Sequence, residues 1–131
     1  MNWLLDTNVL IAAAWSSHAD HGRVCRWLDG IGDFATCPTT QMGFMRVSIS
    51  SAFLAIHADA IVALRSLTGL SRHVFLWDAV CAEDLPMVQG TKEVTDAHLV
   101  RLAVNHKVKL ATLDKPLCGK PWAKGIVELV T

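Results

Sequence analysis

Short apolar runs alternate along the chain with longer stretches in which apolar residues recur every three to four positions. Asn2-Trp3-Leu4-Leu5 is the first run, and it stops at Asp6-Thr7-Asn8, whose side chains bond nearby backbone amides and favour turns and helix starts. A short helix is expected over residues 9–14. The next helix places Val24, Trp27, Leu28 and Ile31 on one face and ends at Gly30 and Gly32. Phe34-Ala35-Thr36-Cys37 reads as a second strand, stopped by Pro38, which has no N–H for a ladder bond. Thr39 or Thr40 is expected to cap the following helix, which carries Gln41, Phe44 and Met45 on one side. After a Ser-rich break, another helix buries Ala60, Ala63, Leu64 and Leu67 before Gly69. A third strand is expected over 73–77 and, beyond a long connection, a helix over 96–106 with Leu99, Leu102 and Ala103 inward. Strands over 109–113 and 126–130 complete the order. Strands alternating with helices imply right-handed crossovers. The fold class is therefore α/β, with a central, mostly parallel sheet of four to five strands and helices on both faces. The length of 131 residues suits one domain spanning residues 1–131.

Composition narrows the function classes. Apolar residues make up 52% of the chain and charged ones 18%, too rich in core-forming side chains for a disordered segment. The 12 basic and 12 acidic side chains cancel, so there is no global signal for a nucleic-acid coat protein. Residues 101–131 nevertheless hold six basic side chains against two acidic ones. No run approaches the roughly 18 apolar residues needed to span a bilayer, and Asp6 interrupts an N-terminal stretch that lacks a basic lead. The expectation is a soluble cytoplasmic protein with no membrane partner. Cys25, Cys37, Cys81 and Cys118 form no C-x-x-C pair and read as small reduced core residues.

In an open parallel sheet the functional crevice lies beyond the carboxyl ends of the strands. Asp6 ends the first strand there, Asp114 follows the fourth, and Asp96 stands at a helix start after Thr95. Each alone has an ordinary role as a cap or turn former. Together they obey one rule, strand end or helix start on one edge of one sheet. Carboxylates so gathered repel one another unless a cation neutralises them. Oxygen donors suit magnesium or manganese, which can acidify a bound water and stabilise charge on a phosphodiester.

Other signals are weaker. The segment 114–124 interleaves Lys115, Lys120 and Lys124 with Trp122, a composition that can hold a sugar-phosphate strand and stack a base, or form a solvated loop. Arg46 carries a planar fork suited to a carboxylate or phosphate. His18 and His21 read as an exposed polar pair at a helix start, His98 as a first-turn side chain, and His73 and Trp77 as buried, hydrogen-bonded residues.

Four segments, Leu4-Leu5-Asp6-Thr7-Asn8-Val9-Leu10-Ile11, Cys37-Pro38-Thr39-Thr40-Gln41-Met42-Gly43-Phe44-Met45-Arg46, Val94-Thr95-Asp96-Ala97-His98-Leu99 and Leu110-Ala111-Thr112-Leu113-Asp114, resemble the successive motifs of PIN-domain ribonucleases. Within that family the chain is most similar to the VapC toxins of bacterial toxin–antitoxin pairs. The resemblance spans almost the whole chain in motif order. It implies a metal-dependent endoribonuclease using Mg2+ or Mn2+, cutting loop RNA such as tRNA or rRNA. It further implies a homodimer held inactive by a small VapB-type antitoxin that enters the active-site groove and binds operator DNA. By position, Asp6, Asp96 and Asp114 match three metal-binding acids, Thr112 matches a common polar neighbour, and Asn8 falls beside them. Gln41 stands where the pattern usually has Glu. An amide can still ligate a hard cation but carries no charge and accepts no proton as a base, so a site charge of −3 and weaker metal affinity are expected. Two rival readings remain. An aspartyl-phosphate phosphatase would need a second acid two residues after Asp6, where Asn8 stands. A degenerate PIN fold would bind RNA or antitoxin without turnover.

Overall fold

Five parallel strands, β1 (Trp3–Leu5), β2 (Phe34–Thr36), β3 (His73–Phe75), β4 (Lys109–Thr112) and β5 (Val127–Leu129), pair in the order β3-β2-β1-β4-β5. The computed structural model describes residues 2–131. On β1, Trp3 pairs with Phe34 of β2 on one side, and Leu4 and Leu5 pair with Leu110 and Ala111 of β4 on the other. Successive side chains face opposite sides of the sheet. Leu5, Phe34 and Ala111 therefore enter one core with Val9, Leu10, Val24, Phe44 and Leu64. Leu4, Ala35 and Leu110 enter a second core with Leu99, Leu102 and Leu117. Helices α1 (Thr7–Ala14), α2 (His21–Gly30), α3 (Pro38–Ile49) and α4 (His57–Thr68) contribute to the first core, and α5 (Glu93–Asn105) and α6 (Lys115–Cys118) to the second. Burial on both faces explains why the strands read as apolar runs rather than alternating ones. The expected α/β architecture is present.

The chain steps outward from β1 to β2 and β3, then returns across the sheet to lay β4 on the other side of β1. Connections leave β1 and β4 in opposite senses, which opens a crevice at their carboxyl ends.

Several boundaries differ from expectation. β3 ends at Phe75; the buried Leu76 still donates its N–H to the Thr36 carbonyl at 2.9 Å, but Trp77 is 81% exposed and not a core residue. His73 does make the expected hydrogen bond, to Thr36 Oγ1 at 2.7 Å. α3 begins at Pro38, an N1 position where no N–H is needed, so Cys37 is the N-cap. Thr40 assists from N3, its Oγ1 accepting the Cys37 N–H at 3.0 Å. α5 begins at Glu93, which leaves Asp96 in the first turn rather than at the helix start. Of the cysteines only Cys37 is buried, and Cys81 is exposed instead of joining the core. Among the described residues no helix is long and apolar enough to cross a membrane.

Candidate active site

Asp6 leaves β1 and caps α1. Its Oδ1 accepts the Thr7 N–H at 2.7 Å and its Oδ2 accepts the Thr112 hydroxyl at 2.8 Å, so each oxygen is fixed by one donor and keeps lone pairs free. Its own N–H is tied to the Ala111 carbonyl at 2.9 Å. Thr112, fully buried at the end of β4, is the hub of this corner. Besides donating to Asp6, its Oγ1 accepts from Asn8 Nδ2 at 3.3 Å and from the Asp114 N–H at 3.0 Å. Asn8 completes the brace by accepting the Leu113 N–H through Oδ1 at 3.1 Å. Asp114 in turn caps α6.

Asp96 arrives from α5 and shares a cavity of about 420 Å³ with Asp6, Asp114, Asn8, His18 and Phe53. Among the described residues its carboxylate has no hydrogen-bond or ion-pair partner. Burial pushes its pKa up to about 6, helped by the charges of Asp6, Asp114 and Glu93 and opposed by Lys120. Asp6 is only 8% exposed, and burial raises its pKa as well, with Asp114 adding to the effect against the hydrogen bonds from Thr112 and Thr7. Asp6 and Asp96, both held above the ordinary carboxylate range by burial and by neighbouring carboxylates, make a cavity that favours added positive charge.

Among the described residues no three acidic, histidine or cysteine side chains are drawn together tightly enough to form a ready metal cage. The donor chemistry nevertheless fits a hard divalent cation. All three candidate ligands are oxygen donors lining one cavity, Asp96 has no competing partner among the described residues, and a cation of the magnesium type keeps several waters of its own.

The structure thus brings Asp6, Asp96, Asp114 and Asn8 together with Thr112 behind them, but not Gln41. Gln41 Nε2 donates to Thr36 Oγ1 at 3.0 Å, toward the β2–β3 side. The cause lies in α3, where Gly43 is pressed so closely on α1 that a Cβ there would lie 2.5 Å from Thr7 Oγ1. A residue two positions earlier points about 200° around the helix from the face that meets α1. Gln41 therefore does not set the charge of the cavity. Arg46 is exposed, has no ion-pair partner among the described residues, and lines an adjoining cavity of about 410 Å³ with Thr7, Gly43, Val47 and Thr95. Lys115 is exposed beside Asp114 at the start of α6.

His18 and Phe53 were not foreseen as site residues. The rings lie nearly parallel, at 4° and 6.3 Å between centroids, in irregular connections whose placement depends on helix packing. His18 Nδ1 accepts the Asp20 N–H at 2.9 Å, so in the neutral ring the proton resides on Nε2. His21 instead bonds the Ala12 carbonyl through Nδ1 at 2.7 Å, and the two histidines do not act as a pair.

Comparison with known proteins agrees with this geometry. The PIN-domain family profile matches residues 3–120, a span that contains all three acids. Ribonuclease VapC38 of Mycobacterium tuberculosis is 43% identical over 137 residues, covering 98% of this chain and 97% of its own. Ribonuclease VapC29 of the same organism is 40% identical over 120 residues, covering 89% of each chain, and ribonuclease VapC39 is 35% identical over 140 residues, covering 99% and 100%. Among solved structures, VapBC2 from Rickettsia felis, bound to a DNA fragment from its promoter, superposes with a TM-score of 0.66 at 16% identity over 98% of both chains. VapC20 of M. tuberculosis, a sarcin–ricin loop cleaving toxin, gives 0.62 at 11% identity over 88% of this chain and 92% of its own. At such identities the structural likeness speaks for the fold, and the sequence relatives carry the closer kinship. The chain belongs to the PIN-domain family, within its VapC group.

Proposed function

We propose that this protein is a metal-dependent endoribonuclease toxin that hydrolyses RNA in single-stranded or loop regions and is held inactive by a cognate antitoxin. The observation that carries the reading is the convergence of Asp6, Asp96 and Asp114, from three distant parts of the chain, in one cavity at the β1–β4 switch point. Its relatives named as ribonucleases support the reaction, and the sarcin–ricin loop cleaved by VapC20 supports an RNA loop as substrate. The VapBC2 complex with a DNA fragment from its promoter supports an antitoxin partner that also binds operator DNA.

Asp6, Asp96 and Asp114 would hold magnesium or manganese, which when bound supplies charge neutralisation at the phosphodiester and an acidified water. Thr112 and Thr7 hold the two oxygens of Asp6 in a fixed orientation and so set the direction in which it would meet a cation. Asn8 spends its amide on Thr112 and the Leu113 N–H, which makes it a positioning residue more than a substrate contact. Burial and the neighbouring charges of Asp6, Asp114 and Glu93 raise the pKa of Asp96 to about 6, so its ionisation responds to added positive charge. Arg46, in the adjoining cavity that shares Thr7 and Val47, and Lys115, next to Asp114, would offer salt-sensitive contacts to the flanking phosphates. Exposed Leu54, Ile56 and Val62, on and before α4, are an apolar surface that a second copy would cover; sedimentation as a monodisperse monomer would count against the homodimer.

The test is cleavage of an end-labelled cellular RNA pool with magnesium, manganese or chelator, beside Asp6→Ala. Discrete fragments that need the cation, carry 3′-hydroxyl and 5′-phosphate ends and vanish in the variant are expected. Cyclic 2′,3′-phosphate ends, or no cleavage by folded protein with any divalent cation, would overturn the proposal.

A further inference from the structure

A second cavity, of about 680 Å³, is lined by Pro86, Met87, Gln89, Glu93, Lys120 and Trp122. We propose that it is a nucleobase subsite, which selects the RNA nucleotide presented beside the three acids; the inference rests on the ribonuclease reading above. The two cavities are neighbours through α5, because Glu93 stands one turn before Asp96 on the same helical side. The charges of Glu93 and Lys120 are felt at Asp96, and that of Lys120 also interacts with Asp114. A strand crossing the acids therefore has this cavity within reach of its next nucleotides.

The lining favours a base over a phosphate or a cation. Lys120 Nζ contacts Glu93 Oε1 at 2.7 Å, and Glu93 Oε2 accepts the Gln89 N–H at 2.7 Å, so the ionic groups balance each other. A balanced cavity does not reward a net charge, whereas a flat, uncharged ring with a polar edge matches both its apolar and its polar walls. Trp122 lines it while packing on the second core, which holds the indole in place for stacking. Met87 is 87% exposed and supplies a polarizable, adaptable wall. The side-chain amide of Gln89 makes no hydrogen bond among the described residues and offers both a donor and an acceptor to a base edge.

The connection that carries Met87 and Gln89 is also anchored. His98 Nε2 meets Asp78 Oδ2 at 2.7 Å, His106 Nε2 meets the Trp77 carbonyl at 2.6 Å, and the Gln89 N–H bond to Glu93 closes its far end. A wall held at both ends loses less freedom on binding than a free loop.

Fluorescein-labelled RNAs of about a dozen nucleotides, each made of one base only, provide the probe. They are titrated by anisotropy in chelator, where nothing is cut. The native chain is expected to bind one base at least about fivefold tighter than the weakest of the others. Gln89→Ala and Met87→Ala, both exposed positions, should narrow that preference to within about twofold, whereas Lys115→Ala should weaken all RNAs alike. Trp122→Ala should weaken binding and Trp122→Phe should preserve it; if Trp122→Ala unfolds, the two exposed variants carry the test alone. Unchanged affinity and base preference in Gln89→Ala and Met87→Ala would overturn the subsite and leave the cavity to a protein partner. If those variants still cut the RNA pool at the native positions, the acid site stands without the subsite. A native chain that neither binds nor cuts RNA would overturn both readings.

Discussion

At the end of β4 the buried Thr112 accepts the amide of Asn8 at 3.3 Å and donates to Asp6 at 2.8 Å, while at the end of β2 the buried Thr36 accepts the amide of Gln41 at 3.0 Å and meets His73 Nε2 at 2.7 Å. Both corners use a threonine hydroxyl as hub and a carboxamide as donor. They part at the third member. Burial lowers the pKa of His73 and so favours its neutral ring, and the β2 chain, which holds no carboxylate, ties α3 to β3. The β4 chain ends on a carboxylate that retains lone pairs and faces Asp96 and Asp114. The same local chemistry yields a structural tie or the scaffold of a reactive site according to whether its last partner can bear charge.

The strongest way to break this contrast is to remove charge from the acid side. Asp96→Asn should lower the initial rate of RNA cleavage at least about 100-fold, while leaving the metal-free protein as stable as before or more so, since repulsion with Asp6 and Asp114 disappears. Full activity in that variant would remove Asp96 from the site.

The two hubs can be compared directly by Thr112→Val and Thr36→Val. Each should cost about 1–3 kcal/mol of unfolding free energy in denaturant titrations, because buried partners lose a hydrogen bond. Only Thr112→Val should also reduce cleavage, about 10- to 100-fold, with Thr36→Val staying within about twofold. Equal losses of activity would erase the distinction between the corners.

Gly43→Ala tests the packing that holds them apart. The new Cβ would lie 2.5 Å from Thr7 Oγ1, pushing α3 from α1 beside the residue whose N–H the Asp6 carboxylate accepts. A stability loss of about 1–3 kcal/mol is expected, with a parallel fall in cleavage.

The pH dependence of stability should carry the signature of the acid side. In the metal-free protein Asp96 holds its proton more tightly when folded, between its ordinary value of 3.8 and about 6. The native state then binds more protons than the unfolded state, so this contribution is full below that window and is lost as pH rises through about 6. The melting temperature should drop by about a few degrees across it, and magnesium or Asp96→Asn should shrink the drop, Asp6 retaining its own share. A melting temperature that rises through the same window would contradict the raised pKa.

The smallest effect is expected for Gln41→Glu. Its side chain meets Thr36 and not the acids, so cleavage should change by less than about twofold and stability by about 1 kcal/mol or less. A marked gain in cleavage would show that position 41 reaches the acid cavity after all.

The parts of the site that were legible along the chain are those whose cause is local. Asp6 and Asp114 follow apolar runs that can only be buried strands, and a residue just past a strand end in a parallel sheet lies at the crevice wherever the strand sits. Thr112, two positions before Asp114, came from the motif resemblance, and its place at the end of β4 is equally local. Gln41 was placed by motif position alone, and its direction depends on how closely Gly43 lets α3 approach α1. His18, Phe53 and the exposure of Trp77 had no local signal either, because each lies outside a regular element and is positioned by what packs around it.

The sequence by itself determined the order of strands and helices, the two-sided apolar core and the location of three acids at one edge, since these follow from periodicity and from side chains that end strands or begin helices. Tertiary structure alone decided which of two similar threonine-centred networks holds a charge, which helix face meets the cavity, and that a balanced cavity lined by Trp122 lies beside the acids. Those outcomes depend on distances between groups up to 106 residues apart in the chain, as between Asp6 and Thr112, and local propensity carries no information about such contacts.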